Sequence, residues 1–129
     1  MSTPAIEITN LRKTYRKSGE GAGETEALRG VSLTVKQGDF FSLLGPNGAG
    51  KTTIIGILTG LVVKTSGEVK VNGVSIDENL SLAKTYIGVV PQEFNFSIFE
   101  KVMDIIVDQA GYYGIPRDEA IKRAEELLK

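Results

Sequence analysis

The chain has no cysteine among its 129 residues, so a disulfide scaffold is excluded. It has no marked imbalance of charge either. Fifteen Lys and Arg stand against 16 Asp and Glu, net charge −1, and no global field favours DNA, RNA or an anionic membrane. Nucleic acid is therefore not an expected partner. No stretch approaches the run of about 18 apolar residues that a membrane helix needs, so direct membrane insertion is not expected. The N-terminal MSTPAIEI lacks a basic region followed by an apolar core and does not read as a secretory signal. These absences predict a cytosolic chain whose contact with a membrane comes through a partner. Internal repeats are absent too, and the length suits one domain able to bury roughly two-thirds of its unfolded surface.

What the chain does have is GPNGAGKTT at positions 45–53, which fits G-x-x-x-x-G-K followed by Ser or Thr. Glycines at Gly45, Gly48 and Gly50 let backbone N–H groups approach phosphate oxygens closely. The following helix adds its positive N-terminal end. Lys51 supplies a point charge between the β- and γ-phosphates, the Thr52 hydroxyl can ligate Mg²⁺, and Thr53 can reach the α-phosphate. The context predicts strand, loop, helix. Asp39 to Leu44 (DFFSLL) is a nearly continuous apolar run, as in a strand buried on both faces of a parallel sheet, and the helix over about Lys51 to Leu61 carries Ile54, Ile55, Ile57, Leu58 and Leu61.

The filling of this loop, with Pro46, Asn47 and Ala49 among its glycines, resembles the Walker A motif of ABC-transporter ATPases. Other segments resemble that family in its order. Tyr15 stands where the family has an aromatic that stacks on adenine. Ala27 to Thr53 looks like the antiparallel strands feeding into the Walker A strand. TSGEVKVNG (Thr65 to Gly73) looks like the hairpin that follows the helix. IGVVPQEFNF (Ile87 to Phe96) looks like the strand and Q-loop, with Gln92 as the glutamine that senses Mg²⁺ and the attacking water. DQAGYYG (Asp108 to Gly114) is similar to bacterial ABC-2-type exporters.

The resemblance implies an α/β fold: a P-loop NTPase-like parallel core, an N-terminal antiparallel β subdomain, and the start of an α-helical subdomain. Residues 1–129 would be the N-terminal half of an ATP-binding domain. About 1–91 would hold the β subdomain and Walker A core, and about 92–129 the Q-loop and first helical elements. Implied ligands are ATP and Mg²⁺. Tyr15 and Gly45 to Thr53 would bind the nucleotide, Lys51 and Gln92 would be catalytic, and Thr52 and Gln92 would be on the metal. Implied partners are a membrane-spanning transporter subunit and a second ATP-binding subunit, most simply a homodimer, at the inner face of the cell membrane.

The family's remaining machinery is not found in the chain. There is no LSGGQ-like signature, and no histidine to serve as the family's switch. Neither Ile76-Asp77-Glu78 nor Ile105-Ile106-Val107-Asp108 has the apolar run ending in Asp-Glu of a Walker B strand. The chain is thus expected to bind Mg-ATP but not to turn it over, and the apolar Walker A strand, lacking its usual neighbour, to pair with another chain. A second reading is a naturally short, non-catalytic nucleotide-binding or interaction module. A third, a small nucleotide kinase, would need arginines on a lid, and only Arg117 and Arg123 lie downstream, in a helical segment.

Plainer roles stand beside each assignment. Tyr15 could be a packing residue, and Gln92 a surface-loop residue. Phe94, Phe96 and Phe99 are either core or an anchor for a partner helix. Arg12, Lys13, Arg16 and Lys17 read as a solvated face, with contact to phosphate as the alternative. Ile6 with Ile8, and Val31 with Leu33 and Val35, alternate as half-buried strands with a loop over Ser18 to Thr25 between them. From Glu100 onward Val102, Ile105, Ile106, Gln109, Ala110 and Tyr113 follow helical spacing. A further helix starts near Pro116 with Ala120, Ile121, Ala124, Leu127 and Leu128 on its apolar stripe.

Overall fold

A computed structural model describes residues 2–19, 21–93 and 97–129. They form two compact units, the first ending at Gly88 and the second running over Val89–Lys129.

The first unit is built on β1 (Ile6–Arg16), β2 (Glu24–Val35), β3 (Ser66–Val71) and β4 (Val74–Ser75), antiparallel and in the order β2-β1-β3-β4. Alternation alone would send Ile8 and Leu11 to opposite faces, yet both are buried. A bulge resolves this. Register slips between Ile8 and Leu11, with Asn10 at φ 47°, and the strand changes parity there. Opposite the bulge lies Gly67 at φ +96°, where a Cβ would come within 2.5 Å of the Asn10 carbonyl oxygen. Only glycine lets β3 pass this close.

Helix α1 (Lys51–Leu58) sets Ile54 and Ile57 against that sheet, completing a core with Ile8, Leu11, Leu28 and Val69. Fully burying each such side chain contributes about 1.5–3 kcal/mol. The helix is shorter than its apolar pattern suggested. The amides of Leu61 and Val62 both turn back to the Gly56 carbonyl, at 2.8 and 3.0 Å, and Leu61 is left exposed. Helix α2 (Ile76–Thr85) follows β4 directly. Its start is capped by Ser75, whose Oγ accepts from the Asp77 amide at 3.3 Å, with Asp77 and Glu78 in the first turn.

Two expected strands are not among the elements. Asp39–Leu44 runs to the loop without a ladder, and Phe40 and Leu44 are 99% and 89% exposed. Residues 87–92 likewise form no strand, with Val90 exposed. A strand exists only through its neighbour's hydrogen bonds, and no described segment supplies one. The sheet that forms is therefore antiparallel throughout the described residues.

In the second unit, α3 (Val102–Tyr112) and α4 (Arg117–Leu127) form a helical hairpin. Val107, Ala120 and Ala124 are buried, and Arg117 pairs with Asp104 and Asp108 at 3.9 and 3.6 Å. Leu127 is exposed, so the apolar stripe of α4 is narrower than its sequence implied. No helix among the described residues is long and apolar enough to cross a membrane.

Candidate nucleotide-binding site

The loop from Gly45 to Gly50 is irregular and exposed up to Ala49, closed by one turn in which the Ala49 amide donates to the Pro46 carbonyl at 3.1 Å. Gly50 is the residue that enters α1. It is buried, at φ 92°, and contributes no side-chain cap to the helix. A Cβ there would lie 2.6 Å from Leu28 Cδ2 and 2.8 Å from the Ala27 carbonyl oxygen. The reason lies in β2. Lys13 pairs with Leu28 and Thr14 with Glu26, so Ala27 is an extra residue pushed out of the ladder. That bulge carries the β2 backbone onto the loop and holds the start of the helix in place.

The amides of Lys51, Thr52 and Thr53 fall in the first turn of α1, with no carbonyl four residues back inside the helix to receive them. The first turn also contains no acidic residue, leaving the positive end of the helix dipole uncompensated. Lys51 Nζ donates to the Gly45 carbonyl, folding its side chain back across the loop. Thr52 is exposed and Thr53 half-buried. Free amides, an ammonium and two hydroxyls around a glycine cradle form a donor set suited to a polyanion.

Tyr15, near the end of β1, is 40% exposed. Its hydroxyl lies 3.4 Å from Thr53 Oγ1, with either oxygen able to donate. Tyr15 and the phosphate-type loop, 38 residues apart, are thus brought into one site. Lys13 Nζ sits 4.8 Å from the centroid of the Tyr15 ring and donates to the Val63 carbonyl at 2.6 Å. The rest of the basic cluster is engaged along the hairpin: Arg12 with Glu26 at 3.3 Å, and Arg16 with Glu24 at 3.0 Å. Lys17 closes the hairpin through its backbone, its amide donating to the Gly23 carbonyl at 3.0 Å.

Gln92 belongs to the second unit, where it is exposed in a bend. Phe99 is exposed there as well, whereas Phe94 and Phe96 lie outside the described residues. A shallow cavity of about 350 Å³ on that unit is lined by Val107, Gly111, Tyr112 and Ile115 together with the Asp108–Arg117 pair. Its charged groups already satisfy each other. The role of Lys13 beside the ring was missed in the sequence, although Lys13 and Tyr15 stand at the i, i+2 spacing that puts two strand side chains on one face.

Residues 28–129 match the profile of the family described as ABC transporter. The chain is 36% identical to the linearmycin resistance ATP-binding protein LnrL of Bacillus subtilis over 124 residues, 96% of this chain and 38% of that protein. It is also 36% identical to the methionine import ATP-binding protein MetN of Bacillus subtilis over 128 residues, 96% of this chain and 37% of that one. Among solved structures, the ATP-binding cassette MJ0796, in a dimeric post-hydrolysis state bound to ADP and Pi, superposes with a TM-score of 0.76 at 31% identity. That match covers 95% of this chain and 55% of the cassette. The chain thus spans well under half the length of these curated relatives and about half of the solved cassette.

Proposed function

The chain belongs to the ABC transporter family, and from that premise we propose that it is part of an ATP-binding subunit that couples ATP binding and hydrolysis to transport across a membrane. The observation that carries the reading is the meeting of Tyr15 with Thr53, which sets an aromatic platform beside a phosphate cradle. In this reading the adenine lies on Tyr15. The amides of residues 48–53 and the Lys51 ammonium hold the phosphates, and Lys51 exchanges the Gly45 carbonyl for phosphate oxygens as the nucleotide arrives.

Mg²⁺ fits this donor set through Thr52. Among the described residues no group of three or more His, Cys, Asp or Glu could hold a metal ion, so the other ligands would be phosphate oxygens and water, and only the family resemblance assigns Gln92 to the metal. When bound, the ion neutralises charge that builds on the β- and γ-oxygens. Lys51 would add to the same effect, and orienting the attacking water is the role that the family resemblance alone gives Gln92. A glutamate to polarise that water and a signature loop to cover the γ-phosphate are wanting in this sequence, so the chain alone binds Mg-ATP without turnover.

The proposed partners are a membrane-spanning subunit and a second ATP-binding subunit, with the chain held at the cytoplasmic face through them. The proposed direction is export. The DQAGYYG stretch at Asp108–Gly114 supports it over import, the activity in the name of one equally similar relative.

Calorimetry with Mg-ATP on the 129-residue chain and on Lys51→Ala tests the reading. Saturable heat is expected from the first and none from the second, with phosphate release no faster than that of Lys51→Ala. Absence of heat from folded wild-type chain overturns the binding site, and sustained hydrolysis above the variant overturns the claim of no turnover.

A further inference from the structure

We propose that Lys13 is a positioning residue for the nucleotide base, its ammonium covering one face of the Tyr15 ring so that the opposite face is presented to adenine. The proposal rests on the reading of Tyr15 as the base platform and adds to it the device that holds the platform still.

A tyrosine at the end of a hairpin has two side-chain torsions to fix before a base can stack on it. Here the ring is held at two places. Its hydroxyl meets Thr53 Oγ1 at 3.4 Å, and its face meets the Lys13 ammonium 4.8 Å from the centroid, within cation–π range. The ammonium is itself anchored, since Nζ donates to the Val63 carbonyl at 2.6 Å. Val63 lies 50 residues away, past the end of α1, so the contact ties the platform to the segment that follows the phosphate-binding helix. The neighbouring cations do not compete for the ring, because Arg12 and Arg16 are paired with Glu26 and Glu24. With one face taken by Lys13 and the tip by Thr53, the exposed part of Tyr15 is the surface left for a base.

The consequence is specific to the base. Lys13 is engaged with the Val63 carbonyl and the Tyr15 ring, so on this proposal its loss should weaken a nucleotide and leave a bare phosphate chain untouched. Wild type, Lys13→Met and Lys13→Arg would be titrated with Mg-ATP and with magnesium tripolyphosphate. Lys13→Met is expected to bind Mg-ATP about two- to fivefold more weakly, the range a partly exposed cation–π contact supplies. Its affinity for tripolyphosphate should equal wild type, and Lys13→Arg should restore nucleotide binding. Should Lys13→Met lose its folded circular dichroism signal, Lys13→Gln serves in its place, keeping a donor for the Val63 carbonyl while removing the cation.

An unchanged Mg-ATP affinity, or equal losses for both ligands, overturns the role of Lys13 while leaving the base platform standing. A wild type with no preference for Mg-ATP over tripolyphosphate overturns the platform and Lys13 together. A wild type that binds neither overturns the nucleotide site itself.

Discussion

Replacing Gly50 with alanine should disturb this protein far more than the same change at Gly48, although both glycines belong to the same motif and both have positive φ. At Gly48, φ +85°, an added Cβ meets nothing within 4 Å. Its cost is the backbone preference alone, about 1–2 kcal/mol. At Gly50, φ +92°, the Cβ would lie 2.6 Å from Leu28 Cδ2 and 2.8 Å from the Ala27 carbonyl oxygen. Leu28 is a fully buried member of the core, and the Ala27 carbonyl is backbone held in the bulge, so neither can move aside cheaply. Overpacking of this kind adds about 1–3 kcal/mol to the backbone term. Gly50→Ala should therefore lose about 2–5 kcal/mol in all. Urea unfolding followed by circular dichroism reads the difference directly. With a slope of about 1–3 kcal/mol/M, the midpoint of Gly50→Ala should fall roughly 1 M below that of Gly48→Ala. Equal midpoints would refute the argument that the β2 bulge and the loop are packed against each other.

Tyr15→Phe removes the contact with Thr53 but keeps the ring; since that contact is long and exposed, stability should fall by only about 0.5 kcal/mol, and Tyr15→Ala should cost nucleotide affinity that Tyr15→Phe retains. A fall in Mg-ATP affinity as large in Tyr15→Phe as in Tyr15→Ala would contradict the stacking role. Phe40 and Leu44, exposed on an unpaired apolar run, should make the chain associate as its concentration rises, which light scattering would reveal; a monodisperse monomer across the range would count against it. The Glu68 carboxylate hydrogen-bonds Lys70 at 3.1 Å and, with its charge, raises the lysine above its ordinary value. A raised lysine stabilises the fold fully below that ordinary value and ceases to as pH climbs through the raised one. Alkaline unfolding should show a larger extra loss in wild type than in Glu68→Gln, where Glu7 and Glu78 still favour the charged lysine.

The motif behind the proposed phosphate cradle was legible because it is local. Gly45, Gly48, Gly50, Lys51 and Thr52 are adjacent in the chain, and the backbone needs of the motif leave few other residue types possible. The paired segments β1 and β2, and the helices α1, α3 and α4, were readable from periodicity for the same reason, each pattern being complete within about a dozen residues. Helix α2 carried its own signal in Ser75, Asp77 and Glu78, but its mixed composition hid it. The apolar runs at Asp39–Leu44 and Ile87–Val90 misled in the other direction. Apolar content marks a segment as suited to a buried strand, whereas pairing depends on a neighbour that no property of the run itself reveals.

Position along the chain thus sufficed to single out the loop proposed to hold an anion and the residue types within it. That Tyr15 lies beside Thr53, with Lys13 over its ring, only the tertiary structure decided. Bulges at Asn10 and Ala27, together with Gly67, shift strand parity and let backbones close on one another, bringing residues 13, 15, 53 and 63 to one place. Such shifts arise from packing between segments far apart in sequence, and a one-residue slip, invisible in any local pattern, is enough to send a side chain to the opposite face.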